Sequence, residues 1–423
     1  MQWHSAWLVG LGGVVMAAAL GNACSAGGGS GTGGSAAGGV GAQGGTGIGG
    51  FNQGGYGGAP PAVAHLTGRV VAPEGTIPIS GALVYLSGGM PEAIPDGVYC
   101  DHCVLIDVST PHVLTNADGT FDLGAYTLGT QNLVVQKGQF RRVRPVDVVA
   151  GDQPVDIALT TLPGHMDKAN GDDIPKMAIL VGAWDDIGAS LQKLGMADGS
   201  FDKFQNPWPP NSSDPFSPDK LAHDAATINQ YHIVFTPCDS SDGVTCASGY
   251  ADESATQTNM AQFVAAGGKL YVTDYSYDYI AQTWPQYITW ENQTDAFGSA
   301  CLPGSYDAPA VVQDTGMADW LAAQGITNFD LEANWTEITA VNPVPDTDPD
   351  GNPITVTPKV WVSGQVPSSG LRPTTVSFER SCGRVLFSTY HTEGSGSGFL
   401  PQEKALLYVL LEVSVCVGQP IPR

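Results

Sequence analysis

The stretch Gly267-Gly268-Lys269-Leu270-Tyr271-Val272-Thr273-Asp274-Tyr275-Ser276 decides the architecture of the larger part of this chain. A helix-like run from about Ser254 to Ala266 ends in the Gly pair. A short β run follows, and it stops at an Asp with a polar turn behind it. That order is the αβ unit of a parallel sheet, in which ligands sit at the loops on the carboxyl ends of the strands.

The same alternation extends outward from this unit. Upstream, Lys176 to Gly182 reads as a buried strand. Asp185 to Ala197 reads as a helix with Ile187, Leu191 and Leu194 on one face. Residues 199–219 read as a loop rich in Pro, Asn and Ser, and Tyr231 to Pro237 as another strand. Downstream, residues 283–372 are less regular and hold many aromatics. Gly383 to Tyr390 is then a strand, with His391-Thr392-Glu393 at its carboxyl end. Pro401 opens a helix through Leu406, Leu407, Leu410 and Leu411. The alternation predicts a parallel sheet covered on both faces. It puts the loops after Gly182, Pro237, Asp274 and Tyr390 on one edge, gathering Asp185, Asp274, Ser276, His391 and Glu393.

Residues 170–423 resemble a class I glutamine-amidotransferase-like domain, a doubly wound α/β fold. The segments that carry the resemblance are YHIVFTPC (231–238), FVAAGGKLYVTDYS (263–276) and GRVLFSTYHTE (383–393). In an active member of that family a Cys occupies the elbow after the central strand, activated by the His and oriented by the Glu of a His-x-Glu pair. His391 and Glu393 match that pair. The elbow reads Asp274-Tyr275-Ser276-Tyr277, with no Cys, and with no Gly to relieve a strained turn. The nearest candidate nucleophile is Ser276, with His391 as its base. Glutamine hydrolysis of the usual kind is not expected.

From His65 to about Leu162 the pattern changes to short, evenly spaced strands: 66–71, 82–86, 116–121, 133–137 and 155–159, with Asp118-Gly119 supplying a tight bend. Such spacing predicts a β-sandwich. Residues 61–165 resemble the carboxypeptidase-regulatory-like family of Ig-like sandwiches, through LTGRVVAPEGTIPISGALVYL, TNADGTFDLG and NLVVQKGQFRR. The resemblance implies a non-catalytic accessory module. None of the eight His has a Glu three residues on, so no zinc carboxypeptidase-type pair is present. Pro163 to Pro175 reads as a polar linker.

The amino-terminal end differs from both parts. Leu8 to Leu20 is an apolar run of signal-peptide length, followed by Gly21-Asn22-Ala23-Cys24. This resembles a bacterial lipoprotein signal. It implies cleavage after residue 23, lipidation of Cys24 and a membrane partner reached through that lipid; ordinary cleavage to a secreted protein is the alternative. Residues 25–58 contain 18 Gly and no charge, which predicts a disordered tether over 24–60 with a reach of roughly 30 Å.

An exported chain tends to pair its cysteines. Cys238 with Cys246 is the expected short ring. Cys382 with Cys416 is a further pairing, leaving Cys301 free. Cys100 and Cys103 bond to each other or to partners elsewhere. Asp346, Asp348 and Asp350 have half the spacing of a calcium loop, but Thr357 stands where its bidentate Glu belongs, so a solvated hairpin tip is favoured. No complete metal motif and no phosphate-cradling loop occurs, and no cofactor is expected. The formal net charge of -24 excludes nucleic acid as a default partner. The resulting expectation is a cell-envelope lipoprotein with a binding or scaffold role. A divergent hydrolase using Ser276, His391 and Glu393 is the alternative, and a carbohydrate-binding surface protein is the third, suggested by the aromatics between Trp284 and Trp361.

Overall fold

The computed structural model describes residues 61–100, 104–105, 110–206, 211, 213–239, 249–347, 352–392, 398–412 and 417–418. The signal segment, the tether, Cys24, Cys103, Cys246, Cys416, Asp348, Asp350 and Glu393 lie outside the described residues. What is described is a mixed, sheet-rich, multidomain architecture.

Apart from a two-residue strand, Val104–Leu105, residues 61–165 give β1 (Ala64–Arg69), β2 (Leu83–Ser87), β3 (His112–Leu114), β4 (Thr120–Ala125), β5 (Gly129–Lys137), β6 (Phe140–Val148) and β7 (Gly151–Pro154). They form two sheets. One has the order β4-β1-β7. The other is β3-β2-β5-β6, extended by a two-residue strand β8 (Asp172–Asp173). The expected linker is therefore partly structural. Three Arg on β6 hold β8 to the sheet edge: Arg141 pairs with Asp173 at 2.7 Å, and Arg142 and Arg144 pair with Asp172 at 2.9 and 2.7 Å. The strand expected at 155–159 is a short helical turn, Ile157–Thr160. The Asp156 carboxylate accepts from the Ala158 N–H, and this local bond draws the backbone out of the ladder.

The remaining chain builds one nine-stranded sheet. Its parallel half consists of β9 (Met177–Leu180), β10 (Phe201–Phe204), β11 (Ile233–Thr236), β12 (Lys269–Thr273) and β17 (Gly383–Ser388). The order is β10-β9-β11-β12-β17, all parallel. The edge strand β10 lies in the segment expected to be loop. The other half is antiparallel. It comprises β13 (Tyr306–Val312), β14 (Asp330–Asn334), β15 (Lys359–Val366) and β16 (Gly370–Arg380), in the order β17-β16-β15-β13-β14. Thus the stretch that looked irregular supplies three strands of the main sheet and begins a fourth. Its aromatics are core: Trp284, Tyr287, Trp290 and Trp361 are all buried, not arrayed in a groove.

The central strand β12 is buried at every position, which is why it reads as a continuous apolar run rather than an alternating one. Burying Leu270 or Val272 contributes about 1.5–3 kcal/mol each. The α-helices of six residues or more are α1 (Ile187–Lys193), α2 (Pro218–His223), α3 (Ser254–Ala265), α4 (Asp278–Thr283), α5 (Thr315–Ala323) and α6 (Pro401–Glu412). Helix α3 buries Thr256, Met260, Phe263 and Val264, one face at i, i+4, i+7 and i+8. It stops in a Schellman arrangement. The Gly268 N–H donates to the Phe263 carbonyl at 2.9 Å and the Gly267 N–H to that of Val264 at 3.0 Å, with Gly267 at φ 109°.

The long loop of the first part docks on the amino-terminal edge of the parallel strands. The Val98 N–H donates to the Asn229 carbonyl at 2.9 Å, and His232 Nε2 donates to that of Pro95 at 3.0 Å. A Cβ on Gly267 would lie 1.9 Å from the Tyr99 carbonyl oxygen, so only Gly admits this approach. The docking brings Cys100 to Cys382 in the turn between β16 and β17. The two form a disulfide, with their Cα atoms 5.1 Å apart. The expected pairing of Cys382 with Cys416 is therefore replaced. Cys301 is also disulfide-bonded rather than free. Cys238, expected to pair with Cys246, is instead a free and buried thiol.

Candidate functional site

With the amino edge covered, the carboxyl edge collects the polar chemistry. Four parallel strands each end in a residue aimed at the same place: Asp185 follows β9, Cys238 follows β11, Asp274 follows β12 and His391 follows β17. All four are buried.

Asp274 occupies the elbow. Its φ is 44°, a left-handed conformation that non-Gly residues adopt at a cost of order 1–3 kcal/mol. The strained turn thus exists without a Gly, contrary to the sequence expectation, and it presents a carboxylate. The Trp335 N–H donates to that carboxylate at 3.2 and 3.3 Å, and the Thr336 hydroxyl at 3.0 Å. His391 Nδ1 lies 3.5 Å from Asp274 Oδ2. Burial pushes the Asp274 carboxyl up to about 6, against the opposing pull of His391, Thr336 and Trp335.

Asp185 is the brace behind this pair. It accepts from the Thr273 hydroxyl at 2.6 Å, from the Thr392 N–H at 3.1 Å and from the Thr392 hydroxyl. It therefore ties the last residue of the central strand to the residue after His391. Burial raises its carboxyl above the ordinary range, with His391 and the two Thr opposing. The Thr273 hydroxyl also accepts from the Cys238 N–H at 2.8 Å, which fixes the thiol-bearing residue to the same brace. Gln402 of α6 donates to the His391 carbonyl at 3.0 Å.

The Cys238 thiol, one carboxylate oxygen of Asp274 and a ring nitrogen of His391 all lie within 4.8 Å of one another. Burial pushes the Cys238 thiol well up, and the negative charge of Asp274, Asp185 and Asp239 pushes it further; the Tyr275 N–H opposes. An unassisted thiolate is therefore disfavoured.

Ser276 is near this centre but is committed elsewhere. Its hydroxyl donates to the Pro237 carbonyl at 2.6 Å. Of the residues expected at this edge, the fold draws Asp185, Asp274 and His391 into one bonded cluster. Sequence reasoning missed the place of Cys238, because its spacing to Cys246 suggested a disulfide. It also missed Trp335 and Thr336. The visible signal for Cys238 was its position directly after a parallel strand. Of the calcium candidate only Asp346 lies among the described residues, where it is paired with Arg380. A cleft lined by Asp96, Lys168, Lys176 and His232 lies at the opposite, amino-terminal edge, away from this chemistry.

No protein-family model matches the sequence, and no curated protein does. Solved structures similar to the chain include a ThuA-like protein from Bacteroides uniformis, at 11% identity and a TM-score of 0.32, covering 56% of this chain and 89% of that one. A cytoplasmic protein from Salmonella typhimurium is similar at 10% identity and a TM-score of 0.34, covering 57% of this chain and 100% of that one. A β-galactosidase from Bacillus circulans is similar at 13% identity and a TM-score of 0.30, covering 57% of this chain and 31% of the enzyme. Likenesses this distant carry no activity across.

Proposed function

We propose that this chain is an exported cell-envelope lipoprotein, anchored through Cys24 and the 24–60 tether. In this reading residues 61–165 are an Ig-like, carboxypeptidase-regulatory-like module. Residues 170–423 are a degenerate, doubly wound glutamine-amidotransferase-like domain that binds a ligand and does not hydrolyse glutamine. One observation carries the ligand-binding part. The elbow residue is the buried Asp274, whose carboxylate is clamped by Trp335, Thr336 and His391 where glutaminase chemistry needs a thiolate. Two measurements test it. The wild type is expected to release no ammonia from glutamine, and turnover abolished by His391→Ala would sink the reading. Cys24→Ser is expected to move the protein from the membrane fraction to the soluble one; a wild type already soluble with a free amino-terminal Cys24 thiol removes the anchor.

A second reading, a divergent hydrolase, is favoured by the strained φ of Asp274. Because the Ser276 hydroxyl is held by Pro237, the attacking group in that reading is the Asp274 carboxylate; it expels the activated alcohol as its anion, and His391 then takes a proton from the water that hydrolyses the acyl anhydride and restores Asp274. Turnover of activated esters, with an adduct mapped to the peptide containing Asp274, is its required outcome. Wild-type protein inert toward such esters removes it.

A further inference from the structure

We propose that Cys238, Asp274 and His391 form a binding site for a divalent transition-metal ion, with zinc as the expected occupant. The inference rests on reading the carboxyl edge as a ligand site, and it names the ligand. Three residues from three different strand ends bring one sulfur, one oxygen and one nitrogen donor within 4.8 Å of one another. Thiolate and imidazole donors select zinc and its neighbours over magnesium and calcium, which take oxygen ligands. Bonds of 2.0–2.3 Å in a tetrahedral zinc site place neighbouring ligand atoms about 3.5 Å apart. The pair His391 Nδ1 and Asp274 Oδ2 is at 3.5 Å. The widest separation closes by a side-chain shift of about an ångström.

The groups behind these donors form a built support. Trp335 and Thr336 hold the Asp274 carboxylate, the Thr273 hydroxyl holds the Cys238 backbone, and Gln402 holds that of His391. Asp185 joins Thr273 to Thr392 and so fixes two of these supports to each other. Metal sites depend on such outer partners to orient their ligands. On binding, the Cys238 thiol gives its proton to the buffer as the sulfur–metal bond forms. Three protein ligands leave the fourth position of the tetrahedron for water or an incoming ligand, the pattern of catalytic rather than structural zinc.

The test uses the untagged full-length chain, stripped with chelator and kept without reductant. After addition of zinc and gel filtration, one zinc per chain is expected by elemental analysis. Cobalt in place of zinc is expected to give a sulfur-to-cobalt charge-transfer band in the near ultraviolet. Cys238→Ser is expected to abolish that band. Asp274→Asn and His391→Gln are each expected to weaken zinc binding at least tenfold while keeping the wild-type circular dichroism. A wild type that retains no metal, or a Cys238→Ser protein that keeps the cobalt band, overturns the proposal. The stripped wild type is assayed with glutamine in parallel. Ammonia release sinks the ligand-site reading itself, whereas metal loss without ammonia sinks only the metal.

Discussion

Asp274 and Asp278 stand four residues apart, both buried, and each shows what position alone does to a carboxyl group. Asp274 is clamped at the elbow. Asp278, in the first turn of α4, accepts from the Gly298 N–H at 2.8 Å and from the Gln282 amide at 3.3 Å. Burial pushes its carboxyl up to about 6; Gly298, Gln282 and Tyr277 oppose, and nearby Asp252 adds to the rise. A folded-state value above the unfolded one, about 3.9, means that the folded protein holds this proton more tightly. The stabilising contribution is complete below the unfolded value and is lost as pH rises through about 6. Between pH 4 and pH 7 this group is expected to cost the native state at most about 3 kcal/mol. Asp278→Asn removes that slope. Urea melts of both proteins at intervals across the window check it, and parallel curves would refute it.

At the scale of the element, the antiparallel half of the main sheet does more than widen it. Strand β14 ends at Asn334, and the residues that follow, Trp335 and Thr336, reach the elbow on β12. Ala333 takes a φ of 58° to make that turn. Thr336→Val keeps the shape but removes a donor from a buried carboxylate. The expected loss is about 1–3 kcal/mol of stability, because the acceptor is left under-satisfied. Denaturant melts measure it, and a change below about 0.5 kcal/mol would show the Trp335 N–H to be sufficient, as for an ordinary surface change. Four of the five parallel strands were legible in sequence because buried strands read as apolar runs bounded by turns; the edge strand β10, which carries Asp202 and Lys203, was read as loop. The antiparallel half was not. Its strands β13 and β14 carry polar and exposed residues, and its aromatics gave no period.

At the scale of the whole molecule, one apolar core runs across the boundary expected near residue 165. It joins Leu66, Phe121 and Val135 of the first part to Leu191, Trp320 and Leu407 of the second. Trp320 Nε1 also donates to the Pro78 carbonyl at 2.7 Å. The Cys100–Cys382 disulfide is a separate tie between the same two parts, across a sequence separation of 282. A loop of that length gives an unfolded-state restriction of about 5.6 kcal/mol in the chain-entropy account. Replacing both residues, Cys100→Ser with Cys382→Ser, is expected to lower stability by several kcal/mol toward that figure. The folded spectrum should be unchanged, since the apolar contact remains. A double variant as stable as wild type in denaturant would show that the docked loop needs no covalent tie.

Taken alone, the sequence determined the β-rich first part, four of the five parallel strands and the edge on which Asp185, Asp274 and His391 meet. Each of these follows from local information: period, turn residues and the rule that parallel strands share a carboxyl edge. Only the tertiary structure decided the rest. It left Cys238 a free thiol beside Asp274, joined Cys100 to Cys382, and brought Trp335 and Thr336 to the elbow. Those outcomes depend on which strand neighbours which and on which loop docks where. They are set by long-range packing, and neither spacing along the chain nor the type of one residue encodes it.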